Sequence, residues 1–121
     1  MHWQFSNDMP IYTQLIEQIK VAIVSGVFLP GERLPSVRDL AVDAGVNPNT
    51  MQRAMAELER DKLVFSQRTS GRYVTEDHMV IHALKADLAR IHVARCVEAL
   101  ERLGYTREDI LDVLTNSLKG E

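Results

Sequence analysis

Apolar residues return every three or four positions along most of this chain, and the breaks in that rhythm divide it into elements. Ile11, Leu15, Ile19 and Ile23 recur at a four-residue spacing, with Ile16 and Val24 widening the stripe. Residues 10–26 therefore predict an amphipathic helix. Pro10 suits its start, where a missing N–H is no loss, and Gly26 suits its end as a C-terminal cap. VFLPGERLP (27–35) follows as an irregular connector punctuated by Pro and Gly. Ser36 can cap a second, short helix with Asp39 three residues on, and Val37, Leu40, Ala41 and Ala44 form its buried side. Gly45 stops it. Val46 and Asn47 alone separate it from a third helix, for which Asn47 is the cap and Pro48 the first residue. There Met51, Ala54, Met55 and Leu58 follow the i, i+3, i+4, i+7 rule, to about Asp61 or Lys62.

The period then changes. LVFSQ and RYVT are short and rich in β-branched and aromatic residues, and RTSG between them supplies a turn, which predicts a β-hairpin. Three helices and a hairpin, with the second and third helices joined by a tight Gly turn, describe a winged helix-turn-helix over residues 1–75. A long helix follows, from roughly Asp77 to Leu103. One stripe holds Val80, Leu84, Leu88 and Ile91, and a second, rotated stripe holds Val93, Val97, Leu100 and Leu103. Gly104 closes it, and TRED from Thr106 is a capping box for a last helix carrying Ile110, Leu111, Leu114 and Leu118. Two helices of this size cannot bury so much apolar surface against each other. Residues 76–121 therefore predict a dimerisation tail whose simplest partner is an identical subunit. The expected fold class is mainly α with a small β-hairpin: a winged helix-turn-helix domain followed by a two-helix dimerisation tail.

Composition narrows the setting. With 45% hydrophobic and 26% charged residues in 121, the chain is ordinary for a soluble globular protein. No apolar stretch approaches the ~20 residues that span a bilayer, so no membrane partner is expected. MHWQFSNDMP lacks the basic and apolar regions of a secretion signal. One cysteine, Cys96, excludes an intramolecular disulfide framework and fits a reducing, cytoplasmic location. Net charge is -3, but residues 1–75 carry eight Lys/Arg and eight Asp/Glu, while residues 76–121 carry six and nine. An anionic partner should meet the N-terminal part, through a local basic patch.

That patch has a natural place. Residues 51, 54, 55 and 58 turn inward, leaving Asn49, Gln52, Arg53 and Ala56 broadly on the opposite side of the third helix. A recognition helix offers such a face to the major groove. Asn and Gln can make two hydrogen bonds to adenine, while Arg reads guanine or grips phosphate. The bland alternative is a solvated helix face that starts well because Asn47 and Pro48 cap it; the preceding helix and following hairpin favour DNA. Arg38 lies in the first turn of the second helix, unfavourable for the helix dipole unless a phosphate, or an ion pair with Asp39 or Asp43, offsets it. Arg68 and Arg72 flank the wing turn and can reach phosphate or the minor groove, with a solvated loop as competitor. Ser36, Thr50 and Thr69 can add neutral phosphate bonds.

Other chemistry is sparse. His78 and His82 have a spacing that can present two metal ligands, but no third or fourth ligand stands at convincing distance, so no metal or cofactor is expected. Cys96 falls in an apolar stretch and reads as a packed thiol rather than a redox switch. Without a Gly-rich phosphate loop, HExxH or G-x-S-x-G, an enzyme is not expected.

From LPGERLPSVRDLA through VNPNTMQRAMAELE to SGRYV, residues 10–75 resemble the DNA-binding domain of the GntR family of bacterial transcription regulators. The short tail with GYTREDI looks like the YtrA-type subfamily. The resemblance implies a homodimeric repressor or activator, probing double-stranded operator DNA of palindromic sequence with two winged helices. It implies that Arg38 contacts the DNA backbone, that Thr50 is a recognition-helix threonine and that Gly71 is the wing-tip glycine. Pro48 and Gln52 depart from arginines of many members, so those members' base contacts do not transfer.

The expected function is thus a sequence-specific transcription regulator, a repressor by family analogy. In it Leu84, Leu88, Ile91, Val97, Leu100, Ile110, Leu111, Leu114 and Leu118 hold the dimer. A small-molecule effector would sit at the dimer interface or between the domains, because a tail of about 45 residues has little room for a pocket of roughly 300–1,000 Å3. The alternatives are a winged-helix protein-interaction module and a regulator sensing metal or redox state through His78, His82 and Cys96.

Overall fold

The computed structural model describes residues 1–120. Its elements are α1 (Ile11–Val24), α2 (Val37–Ala44), α3 (Pro48–Arg60), β1 (Val64–Gln67), β2 (Gly71–Val74), α4 (His78–Arg102) and α5 (Arg107–Leu118). Two compact units divide within α4: Met1–Lys85 and 86–121.

In the first unit α3 packs on both α1 and α2, and β1 follows it directly. Its core is built from the periodic residues: Leu15, Ile19 and Ile23 of α1, Leu40 and Ala41 of α2, and Met51, Ala54, Met55 and Leu58 of α3. Each helix end has its cause. The Ser36 hydroxyl accepts the Asp39 N–H at 3.1 Å, and the Asn47 side chain accepts the Asn49 N–H at 2.7 Å. Gly45, at φ +70°, closes α2 in the left-handed conformation, with Val46 N–H reaching back to the Ala41 carbonyl. The same closure ends α3, but Lys62 stands there at φ +64° in place of glycine, and Leu63 N–H returns to the Leu58 carbonyl. The buried Leu58 and Leu63 side chains supply the apolar contact that accompanies this motif.

The hairpin is antiparallel, pairing Val64 with Val74 and Gln67 with Gly71. The first strand begins one residue later than the sequence pattern implies, and the second spans Gly71–Val74 rather than 72–75. Thr75 is instead buried, its N–H bonded to the Leu63 carbonyl and its hydroxyl accepting the Asp77 N–H at 3.1 Å. Part of the irregular connector also proves to be sheet edge. Gly31 N–H donates to the Val74 carbonyl, Val74 N–H to that of Glu32, and Leu34 N–H to that of Arg72, all within 3.0 Å. A three-bond edge flanked by Pro30 and Pro35 is too short for a period to show.

The first nine residues, unassigned from the pattern, form an arm held along α1. Gln14 is buried, and its amide accepts the Ser6 N–H at 2.8 Å and donates to the Ser6 and Met9 carbonyls at 2.9 and 2.7 Å. Gln18 pairs with both backbone groups of Gln4, and the Trp3 indole N–H reaches Asp43 of α2 at 2.7 Å. Gln14→Leu keeps the volume but removes three bonds and strands their backbone partners. We expect it to lower stability by about 1–3 kcal/mol, read from the urea midpoint.

In the second unit Thr106 and Asp109 form the capping box reciprocally, as the TRED motif implies. Leu88 and Ile110 are buried, and Val97, Leu100 and Leu114 are half-buried. Ile91, Val93, Leu103, Leu111 and Leu118 are exposed in the single chain. Cys96 is exposed as well in the single chain, not the packed thiol its apolar neighbours suggest. Among the described residues no helix is long and apolar enough to cross a membrane.

Candidate nucleic-acid interface

The exposed side of α3 is fixed by what its other side buries. Met51, Ala54, Met55 and Leu58 are wholly inaccessible, so rotation of the helix about its axis would break the core. Asn49, Gln52, Arg53 and Ala56 are exposed and Thr50 half-buried, as the periodicity requires. The first turn has no acidic residue, and Asn47 and Pro48 account for its start. The helix tip thus presents side-chain amides and the positive end of the dipole, with no carboxylate to repel an anion. The Arg53 guanidinium lies 4.6 Å above the centroid of the Tyr12 ring of α1.

Arg38, in the first turn of α2, is exposed and makes no ion pair among the described residues. Asp43, one of its possible partners, is taken by Trp3, whose hydrogen bond holds that carboxyl below the usual carboxylate range. Ser36 is exposed beside it, its oxygen occupied by the cap but its O–H still able to donate.

The wing separates the two arginines that flank its turn. Arg68 and Thr69 are exposed in the turn. Arg72 is half-buried, and its Nε donates to Glu59 at the end of α3, which also accepts the Ser66 hydroxyl. It is a tie between wing and helix. Burial raises the Glu59 pKa, but the bonds from Ser66 and Arg72 and the Arg72 charge outweigh it and hold the carboxyl below its ordinary range. A lowered folded pKa contributes stability that is full above the unfolded glutamate value of about 4.3 and is lost as pH falls through the folded value. Amide protection in β1 and β2, relative to the intrinsic exchange rate at each pH, should therefore fall in that acidic window, and Glu59→Gln should remove the pH step.

One cation escaped the sequence reading. Arg33 is exposed on the edge segment, bridged through its backbone to Tyr73 and free of ion pairs among the described residues. Gly71 has φ +108°, and a Cβ there would stand 3.3 Å from the Arg33 Nε. The wing glycine thus serves two ends: a backbone angle that side chains rarely adopt, and room for this guanidinium. Only the edge pairing joins Arg33 to the wing, and three bonds leave no sequence period to reveal it.

His78 and His82 are both exposed, and among the described residues no group of three or more His, Cys, Asp or Glu gathers as a metal site would need.

A helix-turn-helix with a wing, carrying an exposed amide-and-arginine helix beside arginines without ion pairs among the described residues, is the arrangement of a DNA-binding transcription regulator. Residues 11–74 match the family described as bacterial regulatory proteins, gntR family. The chain belongs to the GntR family, in its short YtrA-type branch. It is 37% identical over 117 residues to the uncharacterised HTH-type transcriptional regulator YhcF of Bacillus subtilis, covering 97% of each chain. It is also 44% identical over 71 residues to the HTH-type transcriptional repressor YtrA of the same organism, covering 59% of this chain and 55% of that one. A solved GntR family transcriptional regulator from Listeria monocytogenes superposes with a TM-score of 0.83 at 37% identity, covering 93% of this chain and 98% of that one.

Proposed function

We propose that the protein is a cytoplasmic repressor that binds a palindromic operator as a homodimer, through the winged helix-turn-helix of residues 1–75. The first turns of α3 carry this reading: exposed Asn49 and Gln52 without a carboxylate, on a helix whose rotation is fixed by its core. In this arrangement Asn49 and Gln52 reach base edges in the major groove. Arg38, Arg33 and Arg68, with Ser36, Thr50 and Thr69, hold phosphates and set the register. Arg72 acts at one remove, fixing the wing through Glu59.

Residues 76–121 supply the dimer contact. Ile91, Val93, Leu103, Leu111 and Leu118, on α4, α5 and the turn between them, lie exposed in the single chain, and a second copy covers them most simply. Repression is supported by the name of the YtrA relative, and it follows physically when an occupied operator excludes polymerase. Arg38→Ala tests the assignment. It should weaken binding to operator and unrelated DNA alike and reduce the salt slope by about one. An unchanged affinity and slope would remove Arg38 from the interface.

A further inference from the structure

Arg53 stands apart from the other residues on the exposed face of α3. Its guanidinium leans toward α1 and rests on Tyr12, 4.6 Å from the ring centroid. We propose that Tyr12 is a positioning residue for DNA binding. Its ring holds the Arg53 guanidinium flat so that the N–H edge grips a DNA phosphate at the rim of the groove, leaving base reading to Asn49 and Gln52. The proposal rests on the reading of α3 as the recognition helix and assigns Arg53 one of the two roles an arginine can take there.

Three observations support it. Tyr12 is half-buried in the first turn of α1, and α1 packs on α3, so the ring is a fixed platform. Arg53 makes no ion pair among the described residues: Glu57, four residues further along α3, is held by Arg60 instead. The geometry also leaves the right atoms free. A ring beneath one face of a guanidinium satisfies the cation by its quadrupole, yet the N–H donors lie in the guanidinium plane and remain open to a bidentate oxygen pair. A long side chain ordered in advance loses less freedom on binding than one that swings freely in water.

Wild-type protein is first used to enrich a duplex from a random library. Affinities for that duplex and a scrambled one are then measured by fluorescence anisotropy at several salt concentrations, with thermal unfolding in parallel. The variants are Tyr12→Leu, Tyr12→Phe, Arg53→Ala and the double variant Tyr12→Leu/Arg53→Ala. Leucine keeps the apolar bulk without the ring face, and phenylalanine keeps the ring without the hydroxyl. Tyr12→Leu should weaken both duplexes by about two- to fivefold, with their ratio preserved. Tyr12→Phe should bind as wild type, and the double variant no worse than Arg53→Ala, whose salt slope falls by about one. Wild-type affinity in Tyr12→Leu, or full additivity in the double variant, would overturn the proposal. So would a preference changed at one base pair by Arg53→Ala, which would make Arg53 a reader. Failure of the wild type to enrich any sequence would instead count against α3 as the recognition helix.

Discussion

Leu111→Glu combined with Leu118→Glu will separate the protein into monomers and lower operator affinity by about two to four orders of magnitude. Both leucines lie on α5, 66% and 90% exposed in the single chain, so a charge there meets only water in the isolated subunit. In the proposed dimer, where a second copy covers this apolar surface, the same charges would be buried, and unpaired buried carboxylates are strongly unfavourable. Two linked winged helices bind the second half-site at an effective concentration set by the tether, and a monomer forfeits that advantage. Light scattering would read the mass and anisotropy the affinity. A doubly substituted protein that stays dimeric would place the interface elsewhere, and a monomer binding at full strength would show that one half-site suffices.

Asn49→Ala and Gln52→Ala should act differently from any arginine substitution. Each removes a side chain able to bond an adenine edge in two places, worth about 1–3 kcal/mol of discrimination. The loss, roughly five- to 150-fold on the operator, should fall on that sequence while affinity for unrelated DNA and the salt slope stay put. Stability should not move, because both side chains are exposed and the helix start depends on Asn47 and Pro48. Arg38→Ala gives the opposite pattern, and the contrast separates reading from gripping.

Where a residue's role follows from a period, the sequence discloses it. Met51, Ala54, Met55 and Leu58 declare the buried side of α3, which fixes Asn49, Gln52 and Arg53 outside; Ser36, Asn47 and Thr106 declare helix starts through capping. Hidden were the contacts made by polar atoms between distant segments. Gln14 is polar and belongs to no apolar period, yet it is buried because three backbone groups of the arm satisfy its amide. Arg72 looks equivalent to Arg68 in sequence, and only the fold brings Glu59 to one of them. Arg33 belongs to a connector until the Gly31–Leu34 edge joins β2, and Tyr12 gains meaning only when α1 crosses α3. Cys96 shows the reverse limit: apolar neighbours along a chain do not by themselves bury a residue in the single chain.

The most direct test is selection of binding sites from a fully randomised duplex library by the wild-type protein, repeated with Asn49→Ala. The wild type should enrich a palindrome of two like half-sites, with adenine positions in each that lose their constraint in the variant while the palindromic spacing persists. Enrichment of a single asymmetric site, or the same base preferences from both proteins, would contradict a dimer that reads its operator with the amides of α3.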